Sequence, residues 1–563
     1  MGEDEHFHVA VVGSGFGGSV TAYRLAKAGL DVVILERGQP YPPGSFPRTP
    51  REVRSAFWDP AAGLCGLYEF WDFGGLKTVC SSGLGGGSLI YANVMIPKDK
   101  HTFVKEDLDR SGREHWPIGH ADLAEQYVRV EKMQKPRCYP DTEPYASTPK
   151  TLAIRDAADA VGAPFERPKL AIRFSASDDV PPVPGAPIED GRNLHHAQRF
   201  TCRLCGECCT GCNFGAKNTL DYTYLSAAPP ERTHIRTCCE VNTIEPLDGN
   251  GFRVGYRQHL DAKEGHLPHL LDESGEERRS VHADRVIIAA GALGSTRLLL
   301  SNRASLPGLS PALGTRVSAN GDALAWAIHA RTTGPDGKRE PRYLEPSRGP
   351  VITESIYVDE GASASGRGYR IQDAGAPVLG DWAWQGADVP RNLWGLRRLA
   401  ARRALDALLH KRDTNASEFA SDLFAVTDSA ALLPLLAMGR DVPGGRFTIV
   451  DDRLELDWEV KPSKEYYKGL NEGFEAVARA LGGKLRRVPF NPRMAAHPLG
   501  GCPMGDNERH GVVDSYGEVF GYPGLYVADG AAMPGPVGPN PSFTIAAFAD
   551  RVADGIIEEE DGR

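Results

Sequence analysis

Four cysteines in one short segment have the spacing that metal and cluster sites require. Cys202, Cys205, Cys208 and Cys212 form the pattern C-x2-C-x2-C-x3-C. This is the spacing of bacterial ferredoxins, in which closely spaced thiolates surround an iron–sulfur cluster. The pattern therefore predicts a [4Fe–4S] or [3Fe–4S] cluster on these residues. A structural zinc ion on the same four thiolates, or reduced thiols without metal, are the alternatives.

The pattern itself leaves the fourth cluster ligand open. In ferredoxins with two clusters the fourth cysteine of each run binds the other cluster, and this sequence has no second run. Either Cys212 closes the same cluster, or Cys209, Cys238 or Cys239 does, or the cluster has three irons.

A second motif predicts a dinucleotide site near the N-terminus. Gly13, Gly15 and Gly18 form G-x-G-x-x-G between the apolar run 8–12 and a helical stretch. The first glycine allows a tight turn, the second lets the backbone approach a pyrophosphate, and the third lets helix and strand pack closely. Glu36 ends the next apolar run, where its carboxylate would accept a hydrogen bond from a ribose hydroxyl. A glycine turn in another α/β fold is the alternative.

His497 has surroundings that suit a catalytic histidine. It precedes Pro498 and the pair Gly500 and Gly501, a stiff and then permissive loop that can hold a side chain against a ligand. A neutral imidazole can accept or orient a proton near neutral pH. A structural or solvent-exposed histidine is the alternative.

Together with the glycine motif, four further segments resemble the glucose–methanol–choline (GMC) family of FAD-dependent oxidoreductases, and within it the bacterial cholesterol oxidase branch. They are 83–93 (GLGGGSLIYAN), 286–297 (VIIAAGALGSTR), 496–501 (AHPLGG), and 525–530 (LYVADG) followed by 540–545 (NPSFTI). The segments occur in the family's order and reach both ends of the chain, but they leave its middle third uncovered.

The resemblance implies an FAD site. Where the family links flavin covalently, the histidine follows residues 85–88; no histidine occurs here between His8 and His101, which implies non-covalent FAD. As bare patterns, Asp529 is more often a turn or helix cap, and backbone donors near Thr544 could serve capping alone. Besides Gly13, Gly15, Gly18 and Glu36, the residues expected at the cofactor are Gly85, Gly86, Gly87, Ser88, Asn93, Val241, Ala290, Gly291, Asp529, Gly530 and Thr544.

The same resemblance places the family's catalytic pair on His497 and Asn540. It implies that the substrate hydroxyl lies between them while hydride leaves the carbinol carbon for flavin N5. His497 would take or orient the hydroxyl proton, and Asn540 would hydrogen-bond the same oxygen. Glu354, in V-I-T-E-S-I-Y-V, is a further catalytic candidate, because cholesterol oxidases carry a glutamate on a comparable strand that moves the steroid double bond. An exposed strand face is the alternative for Glu354.

The cysteines bear on the reaction class. FAD-dependent sugar dehydrogenases of the same family carry a cluster on cysteines whose spacing Cys202, Cys208 and Cys212 reproduce. A cluster would let electrons leave singly to an acceptor protein or a quinone, which predicts a dehydrogenase acting on a bulky, apolar, sterol-like alcohol. The alternatives are an oxidase that reduces O2 to hydrogen peroxide, with isomerase activity if Glu354 takes part, an electron-relay or binding protein without alcohol turnover, and an NAD-dependent dehydrogenase.

An α/β fold must position these residues. We expect a Rossmann-like FAD-binding domain and a second α+β substrate-binding domain built on a mainly antiparallel sheet, with strand candidates at 351–358, Arg446–Val450 and 454–458. The expected segments are 1–120, 196–318 and 488–563 for FAD binding, 121–195 for a substrate or cap segment, and 319–487 for substrate binding.

Composition sets the remaining limits. The 563 residues carry 64 Lys and Arg against 74 Asp and Glu, a net charge of −10, which argues against general nucleic-acid binding. No apolar run is long enough to span a membrane and no signal peptide is readable, so a cytoplasmic location is expected. The basic stretch 391–412 predicts an amphipathic helix, either packed as a lid over the substrate site or in peripheral contact with a membrane.

Overall fold

The computed structural model describes residues 5–189, 191–248, 251–259, 279–363, 365–375, 431–487 and 493–562. Within these residues the α-helices are α1 (Phe16–Lys27), α2 (Pro50–Val53), α3 (Ala124–Gln134), α4 (Pro149–Val161), α5 (Tyr224–Ala227), α6 (Gly291–Ser301), α7 (Lys464–Ala480) and α8 (Ser542–Asp561). The strands are β1 (Glu5–Val12), β2 (Val32–Leu35), β3 (Trp58–Asp59), β4 (Leu64–Cys65), β5 (Tyr68–Asp72), β6 (Leu76–Ser81), β7 (Arg137–Cys138), β8 (Phe165–Glu166), β9 (Lys169–Leu170), β10 (Thr233–Arg236), β11 (Cys239–Pro246), β12 (Phe252–Gln258), β13 (Arg279–Ile288), β14 (Ala323–Ile328), β15 (Arg331–Thr333), β16 (Arg339–Pro341), β17 (Ser355–Val358), β18 (Tyr369–Asp373), β19 (Leu433–Gly439), β20 (Arg446–Val450), β21 (Arg453–Asp457), β22 (Lys484–Arg487), β23 (Arg493–Ala495) and β24 (Leu525–Val527).

A Rossmann-like mixed sheet carries the first glycine motif. Its strand order is β10-β2-β1-β13-β12-β11, and β24 pairs with the C-terminal end of β13. Strands β10, β2, β1, β13 and β24 pair in parallel, whereas β12 pairs antiparallel with both β11 and β13. Strand β2 (VVIL) is buried along its whole length, as expected for a parallel strand covered on both faces. Helices α1 and α8 contribute Val20 and Phe548 to the same core.

A second sheet is antiparallel throughout, in the order β22-β14-β19-β18-β17-β8. Ile356, Ile371 and Leu435 point to one of its faces, where they pack with buried residues of α4 and α7. Because side chains alternate along a strand, Gln372 and its register partner Ser355 point to the opposite face. The fold is therefore an α/β dinucleotide-binding part joined to an α+β part, as predicted.

Both sheets are assembled from separate stretches of chain. The Rossmann-like sheet takes strands from residues 5–35, 233–288 and 525–527, and the antiparallel sheet takes its strands from residues 165–166 and 323–487, which lie between these stretches. The domain boundaries given above stay predictions, although this interleaving is the arrangement on which they were based.

The predicted strands of the second domain agree with the structure only in part. The predicted strand 446–450 is β20, but β20 forms a separate hairpin with β21 and is not part of the antiparallel sheet. The predicted strand 351–358 is a strand only from Ser355 onwards. The backbone N–H groups of Thr353 and Glu354 donate to the carboxylate of Asp373 (2.8 and 2.9 Å), so they are unavailable to a neighbouring strand.

The predicted basic helix 391–412 lies outside the described residues. None of the described helices is long and apolar enough to cross a lipid bilayer.

Candidate active site

The first glycine turn lies against the carboxyl end of β13. Gly13 has φ +92°, and a Cβ there would lie 2.6 Å from the carbonyl oxygen of Ala289. A Cβ on Gly18 would lie 2.0 Å from the carbonyl oxygen of Gly13, so packing within the turn requires both glycines. A Cβ on Gly15 would meet no heavy atom within 4 Å. The open side of Gly15 is where a pyrophosphate could approach the backbone.

Glu36 ties this turn to the Gly85–Ser88 loop. Its Oε2 accepts hydrogen bonds from the backbone N–H (2.9 Å) and the hydroxyl (2.6 Å) of Ser14. The Ser14 hydroxyl also accepts the N–H of Gly85 at 2.9 Å. A Cβ on Gly86, which has φ +52°, would lie 2.6 Å from a Cα of the first turn. The two loops are therefore in direct backbone contact.

Asp529 joins two further turns at the same sheet edge. Its Oδ2 accepts the N–H of Gly291 (2.7 Å) and the hydroxyl of Ser295 (2.6 Å), and its Oδ1 accepts the N–H of Ala531 (2.8 Å). Burial raises the pKa of this carboxyl, and these hydrogen bonds oppose the rise. Asp529 thus caps the Ala290–Gly291 turn as well as its own, so the turn-cap alternative describes the contacts it makes.

Ser88 and Asn93 lie on the loop that follows the glycines. The Ser88 hydroxyl donates to the carbonyl of Gly85 (2.7 Å) and accepts the N–H of Leu220 (3.1 Å). Asn93 is fully buried with φ +69°, and its Oδ1 has no hydrogen-bond partner among the described residues. A buried amide oxygen without a partner is the kind of atom that a bound ligand satisfies.

The last two predicted cofactor residues lie on opposite sides of the Rossmann-like sheet edge. Val241 belongs to β11, whose first residue, Cys239, donates its N–H to the carbonyl of Glu36 at 2.8 Å. Thr544 is buried in the first turn of α8, where its Oγ1 lies 2.9 Å from the hydroxyl of Tyr127. The first turn of α8 has no side-chain cap, so its backbone N–H groups can stabilise negative charge on a ligand.

His497 is tied to this edge and to the antiparallel sheet. In its loop the N–H of Gly500 donates to the carbonyl of Gly530 at 2.9 Å. Asp322, buried directly before β14, accepts hydrogen bonds from the Nδ1 of His497 (3.0 Å) and from the backbone N–H groups of Ala496 (2.7 Å) and His497 (2.9 Å). Because a carboxylate only accepts, the neutral imidazole carries its proton on Nδ1 and presents a bare Nε2.

Asn540 is held from the same sheet. Its Oδ1 accepts from the Nε2 of Gln372 at 3.1 Å, and its Nδ2 lies 3.4 Å from the Oε1 of Gln372. Both amides are buried. The structure therefore gives each member of the predicted catalytic pair a buried polar partner from the antiparallel sheet.

The structure does not bring Glu354 into this group. Its Oε1 accepts from the Nε of Arg155 at 2.9 Å and lies 3.5 Å from the Nε of Arg167. Arg155 is on α4, which covers the face of the sheet opposite to Gln372. Glu354 is fully buried, and burial raises its pKa to about 7 against the opposing charge of Arg155. Glu354 therefore lies neither on an exposed face of the strand nor beside Asn540.

The four predicted metal ligands line one cavity. Cys202, Cys205, Cys208 and Cys212 surround it together with Lys217. The Sγ of Cys212 accepts the N–H of Ala216 at 3.3 Å. Burial raises the pKa of the Cys205 thiol to about 12 and raises those of Cys202 and Cys208 as well. Each of these three thiols also faces a backbone N–H that opposes the rise, from Leu204, Glu207 and Val351.

This cavity adjoins the loop that carries Asn93. The ammonium of Lys217 is fully buried and donates to the carbonyls of Leu89, Tyr91 and Cys208, all at 2.9 Å. The side-chain amide of Asn93 also faces the thiol of Cys208. A single side chain, that of Lys217, therefore hydrogen-bonds to both the cysteine segment and the predicted flavin loop.

The cavity is not a site for one ion. In the described part of the chain, no three His, Cys, Asp or Glu side chains have the spacing that a single metal ion needs. The zinc alternative thus finds no support, and the iron–sulfur prediction gains none from this test. Cys238 and Cys239, two of the alternative fourth ligands, are not among the described residues that line the cavity, and their backbone N–H groups donate to the carbonyls of Gly38 and Glu36.

Sequence reasoning missed Asp322, Gln372 and Ser14. Asp322 and His497 are far apart in sequence, as are Gln372 and Asn540, so no local spacing connects them. The available signal was a single carboxylate or amide beside an apolar strand, which is also common in turns. Ser14 lies inside the glycine motif at a position that the motif leaves unspecified.

Comparison with known proteins agrees with this geometry. Residues 459–549 match the family model of GMC oxidoreductases, and residues 11–41 match that of NAD(P)-binding Rossmann-like domains. The chain is 27% identical over 559 residues to a cholesterol oxidase of Acinetobacter baumannii, covering 96% of this chain and 92% of that protein. It is 28% identical over 570 residues to a cholesterol oxidase of Mycobacterium tuberculosis, covering 97% and 90%.

A similar fold occurs among solved structures. The crystal structure of a pyridoxine 4-oxidase from Mesorbium loti aligns with a TM-score of 0.57 at 16% identity, over 98% of this chain and 99% of that one. Domain matches at both ends, full-length relatives and a shared fold lead to one conclusion: the chain carries a GMC oxidoreductase C-terminal domain and a Rossmann-like dinucleotide-binding domain, and it is similar over nearly its whole length to cholesterol oxidases.

Proposed function

We propose that the protein is an FAD-dependent alcohol oxidoreductase that converts a bulky, apolar, sterol-like alcohol to a ketone or aldehyde. The observation that carries the proposal is the orientation of His497. Asp322 fixes its Nδ1, the loop that carries it hydrogen-bonds to the Gly530 turn, and Nε2 is left to meet a substrate hydroxyl.

The residues present suit a non-covalently bound FAD. The open side of Gly15 and the carboxylate of Glu36 suit the pyrophosphate and ribose, and the buried Oδ1 of Asn93 lacks a partner. Gly85–Ser88, Val241, Ala290–Gly291, Gly530 and the first turn of α8 at Thr544 complete the proposed set. FAD supplies a hydride acceptor for the carbinol carbon when it is bound.

The chain's own side chains handle the proton. In this proposal the substrate hydroxyl lies between the Nε2 of His497 and the amide of Asn540. The neutral imidazole accepts the hydroxyl proton, and the charge of Asp322 stabilises the resulting imidazolium. Asn540 donates a hydrogen bond to the same oxygen and fixes its direction. The cholesterol oxidase relatives support a sterol-like substrate, which we assign to residues 319–487.

Anaerobic flavin reduction tests this proposal. The protein is mixed with cholesterol or a short hydrophilic alcohol, and the loss of flavin absorbance is followed. We expect reduction by the sterol, and about 10²–10⁴-fold slower reduction in His497→Gln, since general base catalysis contributes that much. His6→Gln, which changes an exposed histidine paired with Asp284, is the matched control. Equal rates in wild type, His497→Gln and Asn540→Ala would assign the chemistry to other residues.

A second proposal concerns how electrons leave the flavin. The cysteine cavity favours a route through an iron–sulfur cluster. Four thiols line one cavity beside the Asn93 loop, and N–H groups face them as they commonly do around cluster sulfurs. A cluster spreads its ligands over several iron atoms, so its thiolates need not have the spacing of single-ion ligands. A bound cluster would carry single electrons to a protein or quinone acceptor.

Iron content and acceptor use separate this dehydrogenase from the oxidase alternative. After anaerobic purification we expect about three or four irons with matching acid-labile sulfide per chain. Cys208→Ser should lose both, while Cys138→Ser, at an exposed cysteine, should keep both. Protein without iron or sulfide would reject the cluster, and one hydrogen peroxide formed per alcohol in air would favour the oxidase alternative. Flavin that no alcohol reduces would favour the electron-relay alternative.

A further inference from the structure

One short segment, residues 318–322, contacts His497 and the loop that leads into Asn540. Asp322 takes hydrogen bonds from His497 and Ala496, as described above. Two residues earlier, Asn320 donates from Nδ2 to the carbonyl of Pro539 (3.1 Å) and accepts at Oδ1 the N–H of Gly538 (3.0 Å). Pro539 directly precedes Asn540. The segment thus holds the His497 loop with one side chain and the Asn540 loop with another.

Buried side chains of neighbouring elements hold residues 318–322 in place. Asp441 accepts the hydroxyl of Ser318 (2.5 Å) and the N–H of Ala319 (2.9 Å). The hydroxyl of Tyr466 donates to the carbonyl of Gly321 at 2.8 Å. A Cβ on Gly321, which has φ +64°, would lie 2.4 Å from that hydroxyl oxygen. A buried carboxylate, a buried phenol and a glycine turn therefore fix the place from which Asp322 reaches His497.

We propose that Asp322 is a positioning residue for alcohol oxidation, because it selects the Nδ1–H tautomer of His497 and stabilises the imidazolium that forms when Nε2 takes the alcohol proton. The inference rests on the proposed function. The alcohol O–H bond breaks and its proton moves to Nε2; the carbinol C–H bond breaks as the C=O bond forms, and a bound FAD would supply the acceptor for the hydride. With Asp322 neutral, the imidazole could present N–H at Nε2, which cannot accept a proton.

Two buried titratable groups interact with Asp322. Among the described residues, Asp441 and Tyr466 lie close enough for their charges to act on it, and Arg367 donates to the carbonyl of Asp441 at 3.0 Å. Burial raises the pKa of Asp441 to about 6. When Asp441 is ionised, its negative charge adds to that of Asp322 in stabilising the imidazolium that forms when Nε2 takes the alcohol proton.

The test replaces Asp322 by Asn, which keeps the shape and removes the charge. We expect flavin reduction by the alcohol to slow about 10²–10³-fold with little change in KM, and the pH dependence of the reductive rate to shift. In a His497→Gln background the same replacement should have no further effect on the rate, because the two residues act as a unit. A purely structural role would instead slow the double variant again. Thermal unfolding and flavin content report whether the variant folds.

A measurement on the unaltered chain keeps the inference testable if Asp322→Asn does not fold. Spectra of 15N-histidine-labelled holoprotein, with the His497 signals assigned by their loss in His497→Gln, should show a proton on Nδ1 and none on Nε2 at neutral pH. A proton on Nε2, or wild-type reductive rates in Asp322→Asn, would overturn the inference. If no alcohol reduces the wild-type flavin, the proposed function fails instead, which is a distinguishable result.

Discussion

The amides of Gln372 and Asn540 pair head to head, with one hydrogen bond of 3.1 Å and a second contact of 3.4 Å between them. Gln372 projects from β18 on the face of the antiparallel sheet opposite to α4, and its register partner Ser355 has a buried hydroxyl without a partner among the described residues. In this pairing the Oδ1 of Asn540 accepts from Gln372 while the Nδ2 of Asn540 faces the Oε1 of Gln372. The remaining proton on its Nδ2 is thereby aimed away from Gln372.

Replacing Gln372 should therefore misdirect Asn540 without removing it. In Gln372→Glu the new carboxylate cannot donate to Oδ1, and the Asn540 amide should rotate. We expect flavin reduction to slow about 10-fold, the size of one misaligned hydrogen bond. Gln258→Glu, the same change at an exposed residue of β12, is the matched control. Normal rates in Gln372→Glu would show that Asn540 needs no partner.

Replacing Gly18 and Gly15 of the first motif by alanine should have different effects, one on stability and the other on FAD binding. Ala at Gly18 would place a Cβ 2.0 Å from a backbone oxygen, so Gly18→Ala should lower the free energy of unfolding even without cofactor. Ala at Gly15 would extend into open space. Gly15→Ala should fold as the apoprotein and lose FAD affinity, because its methyl group would occupy the path of the pyrophosphate. Thermal unfolding of apoprotein and FAD titration measure the two effects. Equal FAD affinity in Gly15→Ala and wild type would contradict the assignment.

Glu354 should make stability depend on pH. Burial raises its folded-state pKa to about 7 from an ordinary value of 4.5, so the protonated form is favoured in the folded state. Its contribution is present below pH 4.5 and is lost as the pH rises towards 7. The loss is about 3 kcal/mol by linkage. Glu354→Gln should remove this dependence, so its unfolding free energy relative to wild type should increase between pH 5 and pH 7.5. A constant difference across that range would mean that Glu354 stays ionised beside Arg155.

Replacing Lys217 should lower both the stability of the protein and the iron occupancy of the cysteine cavity. Lys217→Met would leave three buried carbonyls without their donor, at a cost of about 2–4 kcal/mol in unfolding free energy. It would also remove the positive charge nearest to the Cys208 thiol. We expect lower iron occupancy and a lower reduction potential in the protein that still folds. Unchanged iron content and an unchanged reduction potential would mean that Lys217 does not influence the proposed cluster.

What could be predicted from sequence was local. Gly13, Gly15, Gly18 and Glu36 lie within one β–α–β unit, so their spacing alone specified their geometry. His497 and Asn540 came from resemblance, and the structure places them on loops that meet at segment 318–322. Their partners Asp322 and Gln372 could not be predicted, because pairing across two sheets leaves no trace in spacing. For Glu354 the neighbouring strand could be predicted from the apolar pattern. The face of the sheet to which its side chain points could not, because that depends on where the strand begins.

The interleaving of the two sheets has a consequence for synthesis. The glycine turn is made first, Asp322 and Gln372 follow in the middle of the chain, and His497 and Asn540 come from its last portion, together with β24. A growing polypeptide can therefore contain every residue of the proposed FAD site that lies before β13 and still lack both residues proposed to act on the alcohol. The proposed reaction becomes possible only once translation is nearly finished, so a chain truncated before His497 should be inactive.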